Sequence, residues 1–254
     1  MKISAVIITF NEERNISRCL NSLEGVVEEI VVVDSGSTDQ TREICKKYDL
    51  RWIEHPFEGH IEQKNYAMEQ ATHDWVLSLD ADEALTEAAG EAILRLDETS
   101  ADGYVFNRLN NYCGQWIRHS GWYPDRKLRL WDRRKGRWGG ENPHDRVILA
   151  LGNRTERIHA DIRHYSYYSI EEHDQQVLKF AEISAQAKFQ KGERAGWQKV
   201  YLSPAFKFLW KYFIQAGFLD GKNGWIICRK SAYENYLKYK RLRELHAQAK
   251  KQGK

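Results

Sequence analysis

Two carboxylates, Asp80 and Asp82, follow a nearly continuous apolar run at residues 75–79. Such a run is typical of a strand buried on both faces of a parallel sheet. At the strand period of two, both side chains leave the strand on the same side, at the carboxyl edge where open α/β sheets bind ligands. Paired hard oxygens at that place suit Mg²⁺ or Mn²⁺ carrying a diphosphate, and the alternative is a solvated acidic turn.

Strands and helices alternate along the residues that lead to this pair. Apolar runs predict strands at residues 3–9, 29–34 and 51–54. Helices are predicted from Ile16 and over residues 59–72, and Ser37 and Gln40 stand at capping-box spacing for a helix to about residue 48. This alternation indicates a parallel, doubly wound α/β sheet in which each strand delivers a polar residue to the same edge.

Two common nucleotide-binding motifs are missing from the sequence. No G-x-G-x-x-G follows the first strand, and no G-x-x-x-x-G-K-[ST] occurs. Their absence counts against a dinucleotide-dependent oxidoreductase and a P-loop NTPase. A phosphate group at the predicted edge would therefore have to be held by a metal and by side chains.

Three motifs in order resemble those of family 2 glycosyltransferases, which have the Rossmann-like GT-A fold. They are Thr9-Phe10-Asn11-Glu12, Val33-Asp34-Ser35-Gly36-Ser37-Thr38-Asp39 and Leu79-Asp80-Ala81-Asp82-Glu83. The resemblance implies a nucleotide-sugar donor, with Asp80 near its ribose, Lys64 near its diphosphate and Asp82 on the metal. The other residues that it implies at the donor are Thr9, Phe10, Asn11, Glu12, Asp34 and Ala81. For Asn11 and Asp34 the alternative role is helix capping.

Composition limits the class of protein. With 254 residues, 42% of them hydrophobic and 30% charged, the chain is globular and can form one domain with an appendage or two small domains. Its four cysteines lie far apart without metal-ligand spacing, which predicts neither a disulfide framework nor a structural zinc and fits a reducing cytoplasm. We predict neither a secretion signal nor a membrane span.

A segment rich in aromatic and charged residues lies between predicted strands at 103–108 and 127–131. Aromatic rings pack on sugar faces, and charged groups bind hydroxyls and phosphates, so this segment is expected to bind a sugar acceptor. The candidate residues are His119, Trp122, Tyr123, Asp125 and Arg126. The alternative is an aromatic loop packed for stability. The acidic metal site and the absence of RNP or helix-turn-helix patterns argue against nucleic acid.

The same segment carries a closer resemblance. His119-Ser-Gly-Trp-Tyr-Pro-Asp-Arg126 and Ala216-Gly-Phe-Leu-Asp-Gly-Lys222 resemble the branch of the family that adds β-1,4-linked glucose to the first heptose of the lipopolysaccharide inner core. This resemblance implies UDP-glucose as donor and a lipid-linked oligosaccharide as acceptor. It also implies a Gram-negative bacterium, with the enzyme on the cytoplasmic face of its inner membrane.

Inverting transfer requires a carboxylate that takes the proton of the acceptor hydroxyl. Related transferases have His-Glu where this chain has His144-Asp145, which favours Asp145 as the base. Its side chain is one methylene shorter than Glu, so Glu141 remains a rival. The alternative for Asp145 is a structural salt bridge to Arg146 or Arg126. His164 is a candidate second metal ligand, or else a packed or surface residue.

The end of the chain is helical and basic. Helices are predicted over residues 170–190, from about Pro204 and over 225–247, and residues 205–254 carry 12 basic and 3 acidic side chains, a net charge of +9. Lys207, Lys211 and Gln215 form a narrow polar stripe on an otherwise apolar helix. This pattern favours attachment to an anionic membrane surface, and the alternative is a helix packed on the catalytic domain.

The predicted architecture is an α/β GT-A domain over residues 1–165, with a basic helical extension over 166–254. Residues 1–100 form its nucleotide-sugar half and residues 101–165 its acceptor half. The predicted activity is metal-dependent, inverting transfer of a hexose to a heptose of the lipopolysaccharide inner core. Two alternatives stay open: a sugar nucleotidyltransferase, although the glycine-rich loop after the first strand is missing, and a noncatalytic carbohydrate-binding or membrane-adaptor protein.

Overall fold

The computed structural model describes residues 1–141 and 144–252. Side chains are not described for Glu141, His144, Lys251 and Gln252. The chain forms two compact units: Met1–Leu109 with Pro124–Tyr165, and Asn110–Tyr123 with the described residues from Ser166 onward. This division differs from the predicted one because residues 110–123 belong to the helical unit.

The first part of the first unit alternates strands and helices. In chain order these elements are β1 (Ile3–Thr9), α1 (Ile16–Asn21), β2 (Glu29–Asp34), α2 (Thr41–Cys45), β3 (Arg51–Glu54), α3 (His60–Glu69) and β4 (Trp75–Asp80). The four strands are parallel in the order β3-β2-β1-β4. β1 and β4 are almost wholly buried, as their continuous apolar runs predict.

Antiparallel pairs are added to the sheet after β4. The elements that follow are β5 (Glu83–Leu85), α4 (Glu87–Leu94), β6 (Gly103–Tyr112), β7 (Gln115–Ile117), β8 (Asp125–Asp132), β9 (Gly136–Glu141), β10 (His144–Leu149) and β11 (Thr155–Tyr167). The sheet order continues from β4 through β8, β6 and β11 to β5, while β9 and β10 form a separate antiparallel pair. The pairs β4–β8, β8–β6, β6–β7 and β11–β5 are antiparallel. β6 and β11 begin together, where the Asp102 N–H donates to the Arg154 carbonyl, and end together, where the Cys113 N–H donates to the Tyr167 carbonyl, so they run in the same direction.

The turn after β2 differs from the prediction. α2 begins at Thr41, and its N-cap, Gln40, makes no side-chain cap hydrogen bond. The Ser37 hydroxyl donates to Asp34 Oδ1 at 2.5 Å instead of capping a helix. The predicted capping box at Ser37 and Gln40 is therefore wrong, because a nearby carboxylate competes for the serine hydroxyl.

The second unit is mainly helical. Its helices are α5 (Ile170–Gln190), α6 (Trp197–Leu209) and α7 (Gly221–Gln252), with a π-helical turn at Trp210–Ile214 and a 3₁₀ turn at Gly217–Asp220 between the last two. α5 has the predicted bounds and begins with a capping box formed by Ser169 and Glu172. α6 begins before Pro204 and contains it, so the predicted helix start at Pro204 is wrong. None of the described helices is long and apolar enough to cross a membrane.

An aromatic cluster stabilises the second unit. The His173 ring stacks on Tyr167, with centroids 4.6 Å apart, and lies near the edges of Tyr112 and Trp122. His173 Nδ1 lies 3.0 Å from the Tyr112 hydroxyl. Burial lowers the pKa of His173 from 6.5 to about 4; Lys230 lowers it further, and Asp174 opposes the change. The imidazole is therefore neutral at physiological pH.

This lowered pKa predicts a pH-dependent stability. Between pH 6.5 and 4 the unfolded chain binds a proton at His173 that the folded chain does not, so this contribution is lost as pH falls through that range. His173→Gln should therefore cost less stability at pH 4.5 than at pH 7, measured by urea unfolding at each pH. His159→Gln, at an exposed position, is the control and should give a nearly constant difference. A constant difference for His173→Gln would contradict the prediction.

Candidate functional site

The carboxyl ends of the parallel strands meet at one edge of the sheet. Thr9 pairs in register with Asp34, and Ile8 pairs with Asp80. The end of β1 therefore lies between the ends of β2 and β4. Among the described residues, the buried Thr9 hydroxyl has no hydrogen-bond partner. Native structures rarely leave such a group unpaired, so this edge has a polar atom that a ligand could satisfy.

The two loops that leave this edge are tied to each other. The backbone N–H of Asn11 donates to Ser37 Oγ at 2.8 Å, and the backbone N–H of Thr38 donates to Asn11 Oδ1 at 2.8 Å. Asn11 has φ of 55°, a left-handed conformation that asparagine tolerates better than most residues. The buried Asp34 carboxylate accepts from the backbone N–H groups of Gly36 and Ser37. Neither Asn11 nor Asp34 caps a helix; both shape the loops, and Phe10 stays exposed beside them.

Glu12 lies in the first of these loops. Burial raises its pKa from 4.5 to about 7, the nearby carboxylates Asp82, Asp39 and Asp80 raise it further, and a hydrogen bond from Asn15 opposes the shift. A bound cation near these carboxylates would favour the ionised form of Glu12. The ionisation of Glu12, which is predicted to bind the nucleotide-sugar donor, therefore depends on the charge of the ligand at this edge.

Lys64 connects the two halves of the first unit. Its ammonium lies 2.9 Å from Asp80 Oδ1 and 2.8 Å from Asp145 Oδ2, and the lysine side chain is almost fully buried. Lys64 is therefore the partner of Asp145 in place of the predicted Arg146 or Arg126. Arg146 follows Asp145 on β10, and Arg126 lies on β8, whereas Lys64 approaches from α3.

α3 is fixed against the strand pair that carries Asp145. The Asn65 side chain donates to the Trp138 carbonyl and accepts from the Trp138 N–H, both at 3.0 Å. β9, which contains Trp138, pairs with β10, which contains Asp145. This double hydrogen bond holds the strand pair where Lys64 reaches Asp145. The Glu141 side chain lies outside the described residues.

Arg129 extends the ion pairs into the sheet. Its guanidinium lies 3.1 Å from Asp80 Oδ2 and 2.5 Å from Glu83 Oε1, and both Arg129 and Glu83 are buried. Glu83 also lies 3.5 Å from Arg108, which binds Asp125 at 2.7 Å. We call Asp145, Lys64, Asp80, Arg129, Glu83, Arg108 and Asp125 the charge chain. It alternates four carboxylates with three cations.

The charge chain controls the ionisation of its members. Burial by itself would raise the pKa of Asp80, but attraction to Lys64, Arg129 and Arg108 holds it far below its usual range. Burial would lower the pKa of Arg129, and Glu83 and Asp80 raise it instead. Asp80 is therefore a carboxylate at every physiological pH.

Asp82 and His164 form the pair that the sequence suggested for a metal. His164 Nε2 lies 3.1 Å from Asp82 Oδ2, and both side chains are partly exposed. The contact exists because β11 pairs with β5 directly after Asp82, with His164 opposite Glu83. Within the part of the chain that the structure describes, no group of three or more His, Cys, Asp or Glu side chains is placed to hold a metal.

The predicted acceptor residues divide between the two units. Asp125 and Arg126 belong to the first unit, where Asp125 is paired with Arg108 and Lys127. His119, Trp122 and Tyr123 belong to the second, where Trp122 packs in the aromatic cluster around Tyr112.

Asp220 organises the part of this segment that lies in the second unit. It is buried and accepts hydrogen bonds from the N–H groups of Arg118 and His119, at 3.2 and 3.0 Å, and from the Ser120 hydroxyl at 3.1 Å. His119 Nδ1 lies 3.0 Å from the same carboxylate. The two sequence motifs of the closer resemblance, which begin at His119 and at Ala216, therefore meet at Asp220. No local sequence pattern predicts this role of Asp220.

Arg129, Glu83 and Trp138 are also missing from the predicted site. Glu83 stands in the Asp80-Ala81-Asp82-Glu83 motif, and a charged residue within an apolar strand such as Arg129 is a signal for a buried ion pair. Trp138 carries no such signal. Its ring lies 4.4 Å from the Lys64 ammonium, a contact that depends on the packing of β9 on α3.

The described fold belongs to a known class of enzymes. The family model for glycosyl transferase family 2 matches residues 4–158, and the chain therefore belongs to that family. It is a glycosyltransferase, which removes the nucleotidyltransferase alternative. The chain is similar to the lipopolysaccharide core biosynthesis glycosyltransferase LpsC of Rhizobium meliloti (strain 1021), with 29% identity over 97% of this chain and 94% of LpsC.

Solved structures confirm the predicted GT-A fold. Mannosyltransferase PcManGT from Pyrobaculum calidifontis, in complex with GDP-Man and Mn²⁺, aligns with a TM-score of 0.52 and 17% identity over 91% of this chain and 73% of that one. S. aureus TarS 1–349 in complex with UDP-GlcNAc aligns with a TM-score of 0.51 and 17% identity over 98% and 92% of the two chains. At this identity the likeness concerns the fold alone.

The charge chain leads to a stability prediction. Arg129→Met should lower the free energy of unfolding by about 3–5 kcal/mol, because it leaves the buried Glu83 carboxylate without its closest cation. Urea denaturation at pH 7 measures the loss. Arg95→Met is the control, because the Arg95 to Glu91 pair is largely exposed and should contribute little. Equal losses for the two variants would show that the charge chain is not stabilising.

Proposed function

We propose that this chain is an inverting glycosyltransferase that moves a hexose from a UDP-sugar, glucose being the first candidate, to a heptose of the lipopolysaccharide inner core. The observation that carries the proposal is the Asp82 to His164 pair beside the charge chain. Asp82 and His164 supply oxygen and nitrogen ligands, and the charge chain adds Lys64 and the Asp145 carboxylate near the carboxyl edge of the sheet. The similarity to LpsC supports the acceptor class.

The donor set fits a divalent cation. Asp82 Oδ2 and His164 Nε2 are close enough to share one ion, and both are partly exposed. Mg²⁺ and Mn²⁺ accept few protein ligands and complete their coordination with water and with substrate phosphate oxygens. Such an ion supplies positive charge that stabilises the departing diphosphate.

The donor would lie against the two tied loops. The exposed Phe10 ring offers a face for the base, and the loop of Asn11 and Asp34 surrounds the place for the ribose. Lys64 has three N–H donors, two of which point to Asp80 and Asp145, and the third is proposed to bind the diphosphate. Ala81 is small and buried, and it is proposed to lie beside the donor between Asp80 and Asp82.

Asp145 is proposed as the general base. Lys64 positions its carboxylate, which can take the proton of the acceptor hydroxyl while that oxygen bonds to the anomeric carbon. The bond from that carbon to the diphosphate oxygen breaks on the opposite face, so the anomeric configuration inverts and UDP leaves. Glu141 stays the rival base. His119, Trp122, Tyr123, Asp125 and Arg126 are proposed to bind the acceptor.

The proposed acceptor also determines the proposed location. An oligosaccharide linked to lipid stays at the membrane in which it is made. We therefore place the enzyme at the cytoplasmic face of the inner membrane of a Gram-negative bacterium, as a peripheral protein on an anionic surface. The basic balance of residues 205–254 supports this placement.

Release of UDP tests the activity and the metal together. With purified heptose-terminated core and Mg²⁺ or Mn²⁺, a panel of UDP-hexoses should give acceptor-dependent UDP release, fastest with UDP-glucose. Asp82→Asn should lower this rate at least about 10²-fold and weaken Mn²⁺ binding in calorimetry, because a charged ligand is lost. Asp74→Asn, at the other end of β4, is the matched control. Full activity of Asp82→Asn, or of the wild type in EDTA, would remove the metal role.

No acceptor-dependent release with any donor would contradict the proposed donor and acceptor. The anomeric proton of the product, observed by nuclear magnetic resonance, tests the second part of the proposal. Inversion requires a β-linked hexose from an α-linked donor. An α-linked product would contradict the single displacement.

The choice of base leads to a separate prediction. Asp145→Asn should lower the turnover rate roughly 10²-fold or more and leave UDP binding near normal, the usual size of the loss for a general base. Glu141→Gln should keep most of the activity. If Glu141→Gln abolishes turnover and Asp145→Asn does not, the two roles are reversed.

A further inference from the structure

The segment from α6 to the 3₁₀ turn has an unusual surface. Between residues 197 and 219 the sequence has three lysines and no aspartate or glutamate. Six large apolar side chains of α6 and the π turn are each between 47% and 66% exposed, and we call them the apolar ridge: Leu202, Phe206, Leu209, Trp210, Phe213 and Ile214. Soluble surfaces rarely carry contiguous apolar patches without a binding function.

The apolar ridge is one side of a helix whose other side is already packed. Phe208 and Tyr212 contact the Trp225 ring of α7, at centroid distances of 5.0 and 5.4 Å. On the outer side, Phe206 stacks on Trp210. Spacings of three and four residues from Leu202 to Phe213 place the ridge on one face. The ridge is therefore a surface left over after the helix has packed.

Lys211, in the polar stripe that the sequence suggests, is engaged inside the second unit. Its partly buried ammonium donates to the Ser120 carbonyl at 2.8 Å, and the backbone carbonyl of Gln215 accepts from the Ser120 N–H at 3.0 Å. Lys230 is buried and bound to Asp174. Lys211 and Lys230 are therefore held inside the unit, away from an anionic surface. Exposed cations in the same unit include Lys199, Lys222 and Arg229.

We infer that the apolar ridge enters the interfacial region of an anionic lipid bilayer and attaches the chain to it. A helix with aromatic and aliphatic side chains on one face, and with basic groups around it, lies in the plane of a membrane interface. Behind the ridge, an open cavity of about 500 Å³ is lined by apolar side chains that include Pro204, Phe208 and Tyr233. It offers space for part of an acyl chain.

Charge favours a bilayer over a second copy of this chain. Residues 205–254 carry a net charge of +9, from 12 basic and 3 acidic side chains, so two such surfaces repel each other and an anionic leaflet attracts each of them. The ridge should nevertheless contribute more than the charges, because two of the four lysines in residues 205–230 are engaged inside the unit. The inference rests on the proposed membrane location, but not on the identity of donor or acceptor.

Vesicle binding of the full chain tests the inference. The probes are vesicles of phosphatidylcholine alone and of phosphatidylcholine with phosphatidylglycerol, without donor or acceptor. The triple variant Phe206→Gln, Phe213→Gln and Ile214→Gln should bind both kinds of vesicle at least about 10-fold more weakly than wild type. The matched control, Leu151→Gln, Leu178→Gln and Ile183→Gln, removes exposed apolar side chains elsewhere and should bind like wild type.

A charge variant separates the two contributions. Lys199→Gln, Lys222→Gln and Arg229→Gln together should weaken binding to the anionic vesicles, by up to about 5-fold for each cation removed, and leave binding to neutral vesicles unchanged. High salt should have the same effect on wild type. Circular dichroism and thermal unfolding of each variant verify that the fold is intact.

Two results would overturn the inference. One is binding of the ridge variant equal to that of wild type. The other is a wild-type chain that ignores vesicles and sediments as a dimer, while the ridge variant sediments as a monomer, which would assign the ridge to contact between copies. UDP release on a detergent-dispersed acceptor tests the proposed function separately, so either proposal can fail alone.

Discussion

Two buried cations, Lys64 and Arg129, hold together the elements that form the site. Lys64 on α3 binds Asp80 on β4 and Asp145 on β10, while Arg129 on β8 binds Asp80 and Glu83. Each buried ion would cost several kcal/mol without its partner, so these elements can only pack in arrangements that keep the pairs. The rest of the first unit depends on this condition, because the pairs join three strands of the main sheet, β4, β8 and β5, to α3 and to the separate β9–β10 pair.

The same pairs relate structure to the proposed chemistry. Asp80, next to the proposed donor, and Asp145, the proposed base, share the ammonium of Lys64. A diphosphate placed near Lys64 would compete with both carboxylates for that charge. In the proposed reaction, binding of the nucleotide-sugar and the basicity of Asp145 are therefore coupled through the Lys64 side chain.

The second unit contains a buried carboxylate that organises a loop, and a helix with an exposed apolar face. Asp220 accepts from the backbone N–H groups of Arg118 and His119 and from the Ser120 hydroxyl, and it lies beside the His119 ring, so this loop keeps a defined shape. α6 and the π-helical turn after it present apolar side chains outward, and the turn directs Lys211 inward. This is the reverse of a helix that packs in a soluble core. A surface of this kind is stable in water only while its apolar area is small, and a lipid interface would cover it.

Local sequence patterns are enough to predict β1 to β4, β6 and β8 and the edge where the polar ends of the parallel strands meet, because burial and strand period are read over a few residues. Membership of family 2 is indicated separately, by the resemblance of three motifs. They also place Asp82 and His164 among metal candidates. The partner of Asp145, the roles of Arg129 and Asp220 and the inward turn of Lys211 come only from the tertiary structure. Lys64 and Asp145 are 81 positions apart, and their contact depends on how α3 packs against β9. No local pattern specifies such packing, because it follows from the register and the fit of many side chains at once.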